Sequence, residues 1–202
     1  SSDRRGGALL RPCWTLRDPK GGKEMGKVIA VANQKGGVGK TTTAVNLSAA
    51  LAEKGKKILL IDSDAQGNAT SGLGIKTEKG GKTLYNVITE EEPMSSAIVK
   101  TAYDRLYICP SNVDLSGAEI ELVDVPDRAH RLKKALAAIK NDYDFILIDC
   151  PPSLGLVTLN ALAAADTVLV PIQCEFYALE GLALLTGTIK RVKKSINPDI
   201  EF

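Results

Sequence analysis

The sequence predicts a three-layer α/β/α domain, in which a doubly wound, mostly parallel sheet is flanked by helices. Three observations predict it. Five short, nearly continuous apolar runs recur along the chain: KVIAVAN (27–33), KKILLID (56–62), RLYICPS (105–111), FILIDCP (145–151) and TVLVPIQ (167–173). Runs of this kind suit strands covered on both faces. Helical patterns lie between them, and strand–helix alternation implies right-handed crossovers within one sheet. Finally, 202 residues, 44% hydrophobic and 25% charged, are enough for a single domain with a sizeable core.

Each element has its own signal. In TTTAVNLSAALAEKG (41–55) the Ala44, Leu47, Leu51 spacing marks a core-facing stripe, and Gly55 stands where a helix C-terminal glycine belongs. DRAHRLKKALAAIK (127–140) is amphipathic and reads as one helix, and ALEGLALLTGTIKRVKK (178–194) as a long final one. Residues 70–104 read as loop with one short helix near 84–88. Residues 1–24 lack periodicity and are rich in Gly, Arg and Pro. They read as a tag-like or upstream leader, disordered or loosely packed, with a basic arm on nucleic acid as the sharper alternative. The domain then runs over 25–202.

Charge excludes little. Net charge is +2, but the leader holds six basic and three acidic residues, which leaves 20 basic against 21 acidic from Met25 onward. A near-neutral domain favours no partner through its overall field. Cys13, Cys109, Cys150 and Cys174 show no C-x-x-C spacing, and two of them lie in apolar runs, so they read as reduced thiols of a cytoplasmic protein. No apolar run reaches membrane-spanning length.

The chemistry concentrates in NQKGGVGKTTT (33–43), between the first strand and the first helix. The usual phosphate-binding loop, G-x-x-x-x-G-K-[ST], aligns on Gly39, Lys40 and Thr41, but Gln34 stands where its first glycine belongs and Lys35 follows. Gly36, Gly37 and Gly39 let backbone N–H groups close on an anion, with Val38 between them. In such a P-loop, Lys40 bridges the β- and γ-phosphates of ATP, the Thr41 hydroxyl ligates Mg²⁺, and Thr42 donates to a phosphate nearer the nucleoside. Asp62 and Asp64 close the second apolar run and Asp149 the fourth. Ligands of open α/β sheets bind at such strand ends, and Asp149 matches an aspartate that holds Mg²⁺ through water.

KGGVGKTT, DSDAQGNATSGLG, IDCPPSLG and PIQCEFYALEGL, in this order and spacing, closely resemble the ParA/Soj group of chromosome- and plasmid-partitioning ATPases, of the deviant Walker A class that includes MinD. The resemblance covers Met25 to the end. It implies an ATP- and Mg²⁺-dependent dimerisation switch with slow hydrolysis, weak until a ParB-type centromere-binding protein stimulates it, in a cytoplasmic, nucleoid-associated protein. Lys35 would be the signature lysine that crosses to the nucleotide of the other subunit in the homodimer. Asp64 would position the attacking water, with Asp62 near the metal, and Glu175 and Tyr177 would fall in the interface region. Ala65 replaces a proline frequent in the family.

Members continue past NPDIEF with further strands, adenine contacts and basic residues that bind non-specific DNA. The resemblance therefore implies a domain lacking the family's C-terminal part, with little DNA binding of its own. Lys190, Arg191, Lys193 and Lys194 read as a solvated helix end before a DNA contact. His130 has no partner motif. Two other functions remain open: a metabolic P-loop ligase or kinase of the same fold, and an ATP-binding module without hydrolysis.

Overall fold

The computed structural model describes residues 26–78, 80–173 and 178–201. The leader, Cys13, Cys174, Glu175 and Tyr177 lie outside them. In chain order the elements are β1 (Lys27–Val31), α1 (Lys40–Glu53), β2 (Ile58–Asp62), α2 (Asn68–Gly72), α3 (Leu84–Thr89), α4 (Met94–Ala97), β3 (Val99–Lys100), β4 (Leu106–Cys109), α5 (Ala118–Glu121), α6 (Arg131–Ala137), β5 (Phe145–Asp149), α7 (Leu156–Ala164), β6 (Thr167–Leu169) and α8 (Ala178–Ser195). Short 3₁₀ turns precede α5 and α6.

All five apolar runs form strands, each a little shorter than its run. With the two-residue edge strand β3 they make one six-stranded sheet in the order β3-β4-β2-β5-β1-β6, parallel except for β3. Every residue of β2 is buried. Alternate residues serve opposite faces, as the pleat requires. Val28, Ala30, Leu59, Ile61, Ile146 and Ile148 join the core beneath α3, α6 and α7, whereas Val31, Ile58, Leu60 and Leu147 pack towards α1. Burial of each large aliphatic side chain contributes about 1.5–3 kcal/mol, so the central strands β2 and β5 anchor the domain.

The helices depart from the sequence expectation in instructive ways. The buried stripe of α1 is Ala44, Ser48 and Ala52, with Leu47 and Leu51 only partly buried beside it. Small side chains occupy the line of closest approach to the sheet and the leucines flank it. Gly55 does close the helix, at φ 81°. The single helix expected over 127–140 is broken. Asp127 lies at φ 56°, and the Leu132 amide donates to Oδ1 of buried Asn160, 3.1 Å away, instead of to the preceding turn. Residues 70–104 hold α2, α3, α4 and β3, of which only α3 was expected.

One contact fixes the entry to α7. The Glu119 carboxylate accepts from the Leu156 amide at 2.7 Å and the Val157 amide at 3.1 Å, capping the helix from a distant segment. A Cβ on Gly155 would fall 2.2 Å from Glu119 Oε1. Gly155→Ala should therefore displace the carboxylate and cost about 1 kcal/mol, the usual worth of a helix cap. In urea unfolding, Gly155→Ala combined with Glu119→Ala should be little less stable than Glu119→Ala alone, since both remove one interaction. Full additivity would refute the cap.

Candidate functional site

The parallel register brings the predicted residues to one edge. Asp149 of β5 stands level with Val31 of β1 on one side and Asp62 of β2 on the other. The phosphate loop leaves β1 two residues later and enters α1 at Lys40, so loop and carboxylates share the carboxyl edge of the sheet.

Within the loop, Gly37 and Gly39 take φ 73° and 86°, the left-handed region that side chains resist. Gly36 and Gly37 are exposed, Val38 is buried, and Lys35 and Thr41 are half-buried. Thr42 is exposed, its carbonyl accepting from Asn46 Nδ2 at 2.8 Å. Lys40 is buried, and its ammonium donates to the Lys35 carbonyl at 3.1 Å, which ties the two lysines of the motif together. Burial lowers the Lys40 pKa, while the charges of Asp149 and Asp64 hold it up.

The carboxylates differ sharply in their surroundings. Asp62 is fully buried and internally satisfied: Oδ2 accepts from the Thr70 amide and hydroxyl at 2.8 and 2.7 Å, and Oδ1 from the Asp64 amide at 3.2 Å. Its pKa is raised by burial, against which these bonds pull. Asp64 is half-buried, with Oδ1 accepting from the Gln66 amide at 3.0 Å. Asp149 is fully buried, yet neither carboxylate oxygen has a hydrogen-bond partner. Burial pushes its pKa to about 7, the charges of Asp62 and Asp64 add to the shift, and the Thr41 hydroxyl and Lys40 ammonium oppose it.

Those orphaned oxygens test whether a metal suits the site. A buried, unpaired carboxylate beside a threonine hydroxyl is the hard-oxygen donor set that Mg²⁺ prefers. Among the described residues no three His, Cys, Asp or Glu form a cage for a metal. That is the expected pattern for Mg²⁺, which is held by one or two protein groups together with substrate phosphates. The residues fit the ion.

Three residues that sequence reasoning passed over hold the site in shape. Buried Asn33 donates from Nδ2 to the Pro171 carbonyl at 2.8 Å, and its Oδ1 accepts from the Lys35 amide at 3.1 Å. Gln173 Nε2 donates to the Gly37 carbonyl at 3.1 Å. Ser63 donates its amide and hydroxyl to the Asp149 carbonyl at 3.0 and 2.6 Å, locking β2 to β5 at the site. Cys109 and Cys150 are buried free thiols, their pKa values raised by burial, as expected of structural cysteines.

The model of a family described as AAA domain matches residues 26–202. The sporulation initiation inhibitor protein Soj of Bacillus subtilis is 53% identical over 176 residues, 87% of this chain and 70% of that protein. The chain belongs to the Soj/ParA family of partitioning ATPases. The chromosome partitioning protein ParA of Myxococcus xanthus is 52% identical over 92% of this chain and 65% of its own length. The chain thus spans about two thirds of these relatives. A crystal structure of cobyrinic acid a,c-diamide synthase from Mycobacterium smegmatis, with bound ADP and magnesium, superposes with TM-score 0.83 at 45% identity, covering 87% of this chain and 71% of that one. The P-loop ATPase fold read from the sequence is thereby shown.

The Asp149 environment yields a pH prediction. Its folded pKa of about 7 lies above the ordinary carboxylate value of about 3.9, so between those values the folded state holds a proton that the unfolded state has released. This contribution to stability is present below about pH 4 and is lost as pH rises towards 7. Asp149→Asn should flatten that decline and stabilise the ligand-free protein at pH 7.5 by an amount on the order of a few kcal/mol. Urea unfolding at a series of pH values checks it. A variant that is less stable at pH 7.5 would refute the assigned cost.

Proposed function

We propose that this protein is a Mg·ATP-dependent dimerisation switch with slow ATP hydrolysis, serving chromosome or plasmid partitioning. The observation that carries the reading is the linked lysine pair. Lys40 is buried at the helix entrance where a phosphate-binding lysine belongs, and its ammonium rests on the carbonyl of Lys35 at the loop's rim. When Lys40 turns to a nucleotide's β- and γ-phosphates, it gives up that carbonyl, and the hydrogen bonding of the Lys35 backbone changes. The state of the nucleotide is then felt at the residue assigned to the second subunit. A cation delivered in trans stabilises charge on the transferring phosphoryl group as an arginine finger does.

The remaining residues take roles consistent with their surroundings. Amides of Gly36, Gly37, Val38 and Gly39, with the α1 N-terminus, surround the phosphates, and Thr42 donates beside them. Thr41 and Asp149 would hold Mg²⁺, which when bound neutralises phosphate charge. Asp62, with three internal hydrogen bonds, sits behind the metal and fixes the strand end that carries Asp64. Half-buried Asp64 orients the attacking water. The homodimer partner, a ParB-type stimulating protein and DNA belong to this reading through the Soj/ParA relationship.

A second reading draws support from the likeness to a structure described as a diamide synthase, since a ligase of this fold would use the same loop. The higher identity to Soj and ParA favours the switch.

Lys35→Ala should leave ATP affinity within about threefold of wild type while abolishing nucleotide-dependent dimerisation and lowering turnover at least about a hundredfold. Sedimentation with a non-hydrolysed ATP analogue, beside a nucleotide titration, is the test. A normal dimer would overturn the cross-subunit role.

Asp64→Ala should bind ATP normally and hydrolyse it roughly a hundredfold more slowly, the scale of losing a positioned proton acceptor. Its dimers should persist in ATP itself. Wild-type turnover in single-turnover kinetics would assign the water to another group.

A further inference from the structure

Thr70 lies eight residues beyond Asp62 and closes the loop that carries Asp64. Its amide and its hydroxyl both donate to Asp62 Oδ2, at 2.8 and 2.7 Å. Thr70 is the third residue of the short helix α2, where a main-chain amide has no acceptor within the helix. The Asp62 carboxylate supplies that acceptor from the neighbouring strand. Asp62, Thr70 and Ser111 are each no more than 3% exposed, so water does not compete for these bonds.

The Thr70 hydroxyl proton has one direction to take. Ser111, two residues past β4, donates its amide to Thr70 Oγ1 at 3.0 Å. A hydroxyl carries one proton, the amide can only donate and a carboxylate only accepts, so the proton is directed at Asp62 Oδ2. With Oδ2 held in this way, Asp62 Oδ1 faces the Asp64 amide, 3.2 Å away. The Asp64 carbonyl then accepts from the Gly67 amide at 2.9 Å, and its Oδ1 from the Gln66 amide at 3.0 Å. Backbone and side chain of Asp64 are therefore set by a line of hydrogen bonds that begins at Ser111 and passes through Thr70 and Asp62.

We infer that Thr70 is a positioning residue for ATP hydrolysis: its hydroxyl, oriented by the Ser111 amide, holds the Asp62 carboxylate in the rotation that places Asp64 against the attacking water. The inference rests on the assignment of that water to Asp64. It gives Thr70 no contact with the nucleotide, so loss of the hydroxyl acts on the chemical step and not on ATP binding.

Thr70→Val removes the hydroxyl at nearly constant volume and keeps the amide, and it is the first variant to test. In the nucleotide-free chain, two-dimensional NMR should show the Asp64 amide resonance displaced. With Mg·ATP, single-turnover hydrolysis should slow about thirtyfold while ATP affinity stays within about threefold of wild type. Thr70→Ser keeps the hydroxyl and should hydrolyse within about threefold of the wild-type rate. In an Asp64→Ala background, Thr70→Val should slow turnover by less than about twofold, because Thr70 acts through Asp64. A purely structural Thr70 would lower the unfolding midpoint in both backgrounds and leave the rate well below that midpoint unaltered. Should Thr70→Val not fold, Thr70→Cys, a weaker donor, takes its place and should be at least about fivefold slower than Thr70→Ser. A loss smaller than about fivefold in Thr70→Val, no rescue by serine, an undiminished effect beside Asp64→Ala, or an unmoved Asp64 amide would each overturn the proposal. Wild-type turnover in Asp64→Ala would instead sink the assignment of the water, and the proposal with it, whereas slow Asp64→Ala beside fast Thr70→Val removes the proposal alone.

Discussion

The structure turns on the registration of three parallel strands, which sets Val31, Asp149 and Asp62 side by side at the carboxyl edge of the sheet. Everything chemical follows from that line. The loop after Val31 needs carboxylates a fixed distance beyond it, and only in-register pairing of β1 with β5 and β5 with β2 supplies them. Side chains alternate between faces along a strand, so a slip of one residue would send each of these groups to the other side. The Ser63 bonds to the Asp149 carbonyl hold the register where it matters.

That registration buries two carboxylates, and the protein treats them differently. Asp62 is surrounded by donors, one of which, Thr70, accepts in turn from the Ser111 amide at 3.0 Å and so ties β2, α2 and the end of β4 together. Neither Asp149 oxygen has a hydrogen bond of good geometry, and the Thr41 hydroxyl and Lys40 ammonium nearby only partly favour its charge. A buried charge without a partner costs several kcal/mol and is expected to neutralise itself, which is what its elevated pKa expresses. A structural aspartate would have acquired a donor as Asp62 did. The contrast between neighbouring carboxylates on adjacent strands is what supports the Mg²⁺ role proposed for Asp149.

The strands and the loop were legible in the sequence because their signals are local: nearly continuous apolar runs, three of them running into Asp or Asn, and a lysine and threonine fixed in register with glycines. What was not legible depends on tertiary context. Helix α7, LVTLNALAA, is apolar on nearly every side, since seven of its nine residues are buried, and so it shows no amphipathic period. The break before α6 is imposed by Asn160, 28 residues away from the amide it captures. Strand β3 is two residues long. Asn33 and Gln173 stand inside quoted motifs, but nothing local shows their role, because each acts by reaching a carbonyl more than 130 residues distant.

Those two residues also show how a small loop comes to govern a larger surface. Asn33 fastens the start of the phosphate loop to Pro171, and Gln173 fastens Gly37 in its middle to the same stretch that follows β6. The loop's backbone is thus pinned from outside, while its inner side is held by the Lys40–Lys35 bond. On the other side of the site, the turn after Asp149 ends at an α7 N-terminus held by Glu119. A change in what Lys40 and Asp149 contact is therefore opposed at the loop by the 171–173 stretch and at the turn by the 113–127 segment. Packed elements joined by hydrogen bonds shift between discrete arrangements rather than deform continuously. The loop and the turn beside it are thus each held by an outlying stretch of chain, the loop by 171–173 and the turn by Glu119.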